Sequence, residues 1–191
     1  MLALIGKTTS GKTTIRDKLV SEYGWDSIIT YTTRPMRNGE IQNQSYHFIS
    51  EQEFINKVKN GFFAEWKSYN TAEGTWYYGT SKEDIQNAVD TTVIILTPDG
   101  VRDILSTGLD VSVIYIYSNI STIYKRLGKR GGNITEMDRR ISADNIDFKG
   151  AEILADKIVY NNDGTEIKKV IEEVISCYQG IRRGKKWRMI A

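Results

Sequence analysis

The sequence predicts an α/β protein: a parallel sheet with helices on both faces, interrupted by a small mixed α+β insertion. Three observations point there. An apolar run, Met1 to Ile5, enters a Gly/Thr-rich turn and then a helix-forming segment, a strand–loop–helix unit. Short apolar strands alternate with helical stretches along most of the 191 residues, as a parallel sheet with right-handed crossovers requires. Between Tyr31 and Tyr78 that rhythm gives way to a polar, aromatic-rich block that alternates at strand period.

Each element has a local reason. Met1 to Ile5 reads as a buried parallel strand and Thr14 to Val20 as the start of the first helix. Ser27 to Thr30 is the second strand. Inside the aromatic-rich block, Ser45–Ile49, Phe62–Trp66 and Gly74–Tyr78 read as short half-exposed strands. Glu51 to Lys59 is helical, with Ser50 as N-cap and Glu53 three residues on. Ser81 to Val89 is a helix capped by Ser81, with Asp84 in its first turn. Thr92–Leu96 and Val111–Tyr117 are buried strands, and Asp99–Ser106 and Asn119–Leu127 are helices. Gly128 to Asn133 reads as a mobile loop, Glu136 to Asp147 as a helix and Lys157 to Tyr160 as the last strand. Thr165 to Tyr178 closes the fold as an amphipathic helix, with Ile167, Val170, Ile171, Val174 and Ile175 on one stripe. The core is therefore expected over residues 1–30 and 81–191 and the insertion over 31–80.

Bulk properties narrow the function. The chain is 40% hydrophobic and 26% charged, ordinary for a globular domain, and its net charge of +2 creates no strong field toward nucleic acid or membrane. The single cysteine, Cys177, excludes an internal disulfide framework and fits a reducing compartment; it reads as a small buried hydrophobe. With no transmembrane run and no signal peptide expected, the protein is placed in the cytoplasm, as a monomer or homodimer, without a nucleic-acid or membrane partner. The basic run Arg182–Arg188 reads as a solvated terminus.

Gly6-Lys7-Thr8-Thr9-Ser10-Gly11-Lys12-Thr13 fits the phosphate-binding pattern G-x-x-x-x-G-K-[ST]. A chance match in a chain this long has odds of roughly one in a hundred, and the strand–loop–helix context lowers them further. The glycines let the backbone approach phosphate, and the loop N–H groups and helix N-terminus face the anion. Gly6, Thr8, Thr9, Ser10, Gly11, Lys12, Thr13 and Thr14 are the expected contacts. Lys12 reaches toward the β- and γ-phosphates, and the Thr13 hydroxyl is positioned to ligate Mg²⁺.

A second constellation lies in the insertion. Arg34 and Arg37 flank Pro35, which stiffens their loop, and two planar guanidiniums suit a terminal phosphate. Tyr46 and Tyr78 can donate phenolic hydrogen bonds to that phosphate. Glu65, near Phe63 and Trp66, offers a carboxylate to two adjacent N–H donors such as guanine presents, and Thr80, after Gly79, adds a hydroxyl. Taken singly, loop arginines are usually solvated and strand aromatics usually pack. Their order behind a phosphate loop changes that weighing.

These residues, in order, resemble the guanylate kinase family over nearly the full chain. The family's T-T-R-x-x-R-x-G-E is similar to Thr32-Thr33-Arg34-Pro35-Met36-Arg37-Asn38-Gly39-Glu40. Its D-Y-x-F, F-x-E-W and Y-Y-G-[TS]-S-K resemble Ser45–Phe48, Phe63–Trp66 and Tyr77–Lys82. Its R-L-x-x-R-G and V-N-D-D resemble Arg126–Gly131 and Tyr160–Asp163. The resemblance implies a phosphate-loop kinase core, a lid over about 128–140 and an insertion that binds the monophosphate. It further implies that Arg34, Arg37, Tyr46 and Tyr78 hold the GMP phosphate, and that Glu65, Thr80 and Thr30 read guanine beside Gly79. Lys12, Arg130 and Arg140 would attend the transferred group as catalytic residues, with Arg126 on ATP and Asn161 near adenine.

One motif departs. The family's D-x-D-x-Q-G falls on Ile95–Gly100, so both acids are replaced, by Ile95 and Thr97. In the family this pair helps hold guanine and the metal's water shell. The expected reaction is Mg²⁺-dependent transfer from ATP to GMP or dGMP. A non-catalytic guanylate-kinase-like binding module, or a kinase with altered monophosphate preference, stands as the alternative. The sole histidine, His47, is expected to be structural, since phosphoryl transfer runs on positioning and charge neutralisation.

Overall fold

The computed structural model describes residues 1–71, 74–129 and 134–190. β1 (Leu2–Ile5) enters the glycine-rich loop and α1 (Lys12–Tyr23) leaves it, followed by β2 (Asp26–Ser27). The insertion holds β3 (Tyr31–Thr32), β4 (His47–Phe48), α2 (Glu51–Lys59), β5 (Phe63–Thr71) and β6 (Gly74–Ser81). The core resumes with α3 (Lys82–Gln86), β7 (Thr92–Ile95), α4 (Pro98–Ser106), β8 (Ser112–Tyr117), α5 (Ile120–Lys129) and α6 (Ile134–Asp147). A 3-10 turn at Ala151–Leu154 leads to β9 (Lys157–Tyr160) and α7 (Ile167–Ile190).

The core strands form a parallel sheet in the order β2-β7-β1-β8-β9, and the insertion a mixed sheet in the order β4-β3-β6-β5. Because side chains alternate along a strand, the parallel sheet feeds two cores. Ala3, Ile5, Ile94, Val113 and Tyr115 pack with Val101 and Ile104 of α4 and with Phe148. Leu2, Leu4, Val93, Ile114 and Ile116 pack with Ile15 and Leu19 of α1 and the Val170–Val174 stripe of α7. Helices on both faces are thus accounted for by the continuous apolar runs of β1, β7 and β8. The insertion has an aromatic core of its own, centred on Phe54, which is 0% exposed and stacks on Phe63 with ring centres 4.5 Å apart.

Ser50 and Ser81 cap as expected, accepting from the Glu53 and Asp84 backbone N–H groups at 3.2 and 3.0 Å. The bounds differ most in three places; in addition Gly128 and Lys129, expected in a loop, end α5, and residues 130–133 lie outside the described residues. β2 ends at Ser27 rather than Thr30, because the Thr30 carbonyl accepts from His47 N–H at 2.9 Å and so turns toward the insertion sheet. β5 runs through Thr71 rather than stopping at Trp66, since its polar half pairs with β6 in one hairpin. α7 continues to Ile190 rather than ending at Tyr178. The first residue of the basic run is no solvated tail: Arg182 pairs with Asp110 and, at 2.6 Å, with Asp90. Cys177 is half-buried against the α7 core. No helix among the described residues is long and apolar enough to cross a membrane.

The aromatic core makes the insertion's stability depend on one ring. Phe54→Ala is expected to cost about 3–5 kcal/mol, as large-to-small changes at fully buried aromatics do. Urea unfolding measures this, and a loss under about 1 kcal/mol would show that the ring packs loosely.

Candidate active site

A cavity of about 350 Å³ opens between the parallel sheet and the insertion, lined at the ends of β1 and β7 by Gly6, Ile95, Leu96 and Thr97. The loop adds Thr8 and Lys12, the insertion adds Arg37, Tyr46, Glu65, Tyr78 and Gly79, and α6 adds Arg140 and Asp144. Ligands in open α/β sheets sit at the carboxyl ends of strands, and the topology brings the insertion to that edge.

The loop is built for close approach. Gly6 has φ 151°, and a Cβ there would lie 2.4 Å from the Ile116 carbonyl oxygen, so only glycine fits. Thr9 adopts φ 54°, a left-handed conformation rare for a β-branched residue. The loop's carbonyls, which would repel an anion, are tied to donors. Lys12 Nζ donates to the Gly6 and Lys7 oxygens at 2.5 and 2.9 Å. Arg126 donates to the Thr9 oxygen at 3.0 Å, and Asn161 Nδ2 to the Ser10 oxygen at 2.8 Å. Arg126 also donates to Asn161 Oδ1 at 3.2 Å. Both residues, expected at the nucleotide, therefore stand behind the loop, with Asn161 only 3% exposed. Ser10 is fully buried, and the Thr9 hydroxyl is buried with no hydrogen-bond partner, an orphaned polar atom within the cradle. Thr13 and Thr14 are exposed on the first turn of α1.

The two arginines of the insertion divide. Arg34, 4% exposed, is held in a fork by Glu40 at 2.7 and 2.5 Å, under the Tyr46 ring, and does not line the cavity. Glu40 also accepts from the Arg37 backbone N–H at 2.7 Å, so one carboxylate shapes the whole loop. Arg37 does line the cavity, and burial together with the positive charges of Arg34 and Arg140 pushes its pKa down. Such a guanidinium gains by meeting an anion. Tyr46 and Tyr78 line the same cavity, with ring centres 6.2 Å apart.

Glu65 faces inward. Thr80, fully buried, donates to its Oε1 at 2.5 Å, so Thr80 acts on this carboxylate rather than on the cavity. A Cβ at Gly100 would lie 3.0 Å from Glu65 Oε2, so the first turn of α4 admits the carboxylate because it carries no side chain there. Burial raises the Glu65 pKa to about 7, with the Thr80 bond opposing. Thr30 and Gly79 line the same space. Thr97, where the family carries an acid, caps α4 instead, accepting from Gly100 N–H at 3.1 Å. Asp99 turns to Lys67 and Arg102, at 2.7 and 2.6 Å.

Arg140 lines the cavity from α6; Arg130 lies outside the described residues. Sequence reading missed Lys67, Tyr69 and Asp144, all cavity-lining. A signal existed for each. Glu65, Lys67, Tyr69 and Thr71 alternate on one face of β5, and Arg140 and Asp144 are four apart on α6. No group of three or more His, Cys, Asp or Glu side chains among the described residues is arranged to hold a metal. The Thr13 hydroxyl on the first turn of α1 and the Asp144 carboxylate in the cavity are hard oxygen donors of the kind Mg²⁺ takes.

Known proteins match this arrangement. The guanylate kinase family model matches residues 1–178. The chain is 27% identical to the guanylate kinase of Bdellovibrio bacteriovorus, over 92% of this chain and 98% of that one. It is 29% identical to that of Maricaulis maris, over 98% and 87% of the two chains. The crystal structure of guanylate kinase from Anaplasma phagocytophilum shares the fold, with TM-score 0.67 and 19% identity over 97% of this chain and 85% of the other. With a phosphate loop and a carboxylate-bearing insertion lining one cavity, and a family model spanning nearly all of it, the chain belongs to the guanylate kinase family and is a nucleoside monophosphate kinase.

Proposed function

We propose that the protein transfers the γ-phosphoryl group of ATP to GMP or dGMP, giving ADP and the diphosphate. The observation that carries this reading is that one cavity is lined by two cationic poles, Lys12 with the loop and Arg37 with Arg140, and by the inward-facing Glu65. The monophosphate's oxygen attacks the γ-phosphorus as the bond to the ADP oxygen breaks, and no covalent enzyme intermediate is needed. The residues work by position and charge. Arg37, Tyr46 and Tyr78 seat the acceptor phosphate, with Arg34 orienting the loop through Glu40. Ionised Glu65 accepts from guanine's N1–H and 2-amino groups, oriented by Thr80, with Thr30 beside it. The loop N–H groups and Lys12 hold the donor phosphates, and Arg140 offsets charge developing between the two nucleotides. Arg130 is proposed to join them. When bound near Thr13, Mg²⁺ would neutralise phosphate charge. The intact loop argues against a binding module without catalysis. The single cysteine supports a cytoplasmic setting.

A coupled assay with Mg²⁺, ATP and a panel of ribo- and deoxymonophosphates tests the reaction. Turnover is expected on GMP and dGMP, and equal turnover on AMP or UMP would refute base reading by Glu65. Lys12→Ala and Arg140→Ala are expected to lower kcat by about 10³-fold, the scale of losing a transition-state cation. Glu65→Ala should instead raise KM for GMP by about 10- to 100-fold, the equivalent of losing hydrogen bonds to a charged group.

Protonation of Glu65 removes an acceptor, so the free enzyme should lose kcat/KM for GMP as pH falls through about 7. Guanine's donors stabilise the ionised form, so kcat itself should lack this limb. Glu65→Gln should abolish it and leave only the substrate phosphate's own titration near about 6. A limb unchanged in the Gln variant would remove Glu65 from base recognition.

A further inference from the structure

Asp144 is an anomaly in an anion cradle. From α6 its Oδ2 accepts the Thr8 backbone N–H at 2.5 Å, a donor that the loop would otherwise offer to phosphate. The next residue repeats the contact: Asn145 Oδ1 accepts from Lys7 Nζ at 2.7 Å. Lys12 and Lys7 both act on the carboxylate electrostatically. Thr8, Lys12 and Asp144 line one cavity, so ligand and carboxylate compete for the same ground.

The other acids that line the cavity are engaged elsewhere. Glu65 is bonded to Thr80, and Asp147 lies 3.5 Å from Lys67 Nζ. The end of β7, across the cavity, supplies Ile95, Leu96 and Thr97 and no carboxylate. Two anions a few ångströms apart repel strongly in a partly desolvated site, and a cation between them reverses the sign of that interaction. We infer that Asp144 makes polyphosphate binding at the loop conditional on a divalent cation. Without one, its carboxylate holds the Thr8 N–H against the ligand. With one, its charge turns to the cation's water shell and favours the complex. This rests on the reading of the loop as the donor-nucleotide site.

The test is calorimetric titration of the full-length protein with ADP, in EDTA and in excess Mg²⁺, for the parent, Asp144→Asn and Asp147→Asn. The parent should bind ADP more tightly with Mg²⁺. In Asp144→Asn the ratio of the two affinities should fall by about tenfold or more, the scale of one charge-assisted contact, through tighter binding in EDTA. Asp147→Asn should keep the parent's ratio. Simple removal of a negative charge would raise both affinities alike; an unchanged ratio in Asp144→Asn, or an equal fall in Asp147→Asn, overturns the inference. Should Asp144→Asn fail to fold, Asp144→Ser carries the same comparison at this half-buried helical position. If the parent binds ADP under neither condition, the donor-site reading itself fails, and the inference with it. Binding with an unaltered ratio sinks this inference alone.

Discussion

A backbone cradle for phosphate works only if its own carbonyls are turned away and kept there, and the rest of this molecule is arranged around that constraint. Thr9 and Ser10 offer their oxygens to Arg126 and Asn161, which come from α5 and from the end of β9. Ser118, just past β8, bonds the Asn161 carbonyl at 2.6 Å. The loop between β1 and α1 is therefore fixed by the two strands next along the sheet, β8 and β9. Parallel order matters here: it places the carboxyl ends of β1, β8 and β9 side by side, so that one guanidinium and one amide can serve the loop together. Arg126 and Asn161 thus act on the loop's backbone and so on its shape.

Charge in the cavity is distributed with equal economy. Arg34 is neutralised by Glu40 and serves as a strut, while Arg37, three residues on and exposed, feels the positive charges of Arg34 and Arg140. Separating the two states on one loop gives a rigid loop and an anion-hungry guanidinium at once. If both arginines were paired, the site would have little pull on phosphate; if neither were, the loop would lack its anchor.

Much of this was legible in the residues. The phosphate loop, the two serine caps and the alternation of strand and helix are local signals, and each appears where its local chemistry puts it. Arg126 and Asn161 are engaged by partners far away in sequence, Asn161 lying 151 residues from the Ser10 carbonyl it holds, whereas the carboxylate that holds Arg34 is Glu40, in the same loop. Spacing names a residue that can bind phosphate but not the carboxylate that claims it first. The polar half of β5 was hidden for a different reason. Its hydrophobic period is broken by Lys67 and Asn70, and only pairing with β6 makes it a strand. Asp144 shares a helix face with Arg140, four residues earlier, but that spacing does not say which element the polar face of α6 meets.

The replaced acids on β7 bear on selectivity through Glu65. With Ile95 and Leu96 lining the cavity, the base site has an apolar wall, and burial is the largest influence on the Glu65 carboxyl. A second carboxylate at position 97 would push that pKa higher still, since like charges disfavour ionisation. Thr97 avoids this and spends its hydroxyl on the first turn of α4, whose N-terminal dipole favours the anion that Gly100 admits. One carboxylate, dry on one side and supported by a helix end on the other, discriminates strongly. In the proposed reading, a base that offers it two N–H donors holds it ionised, whereas a base without them leaves it only the Thr80 hydroxyl. On the proposed reading, selectivity concentrates on Glu65.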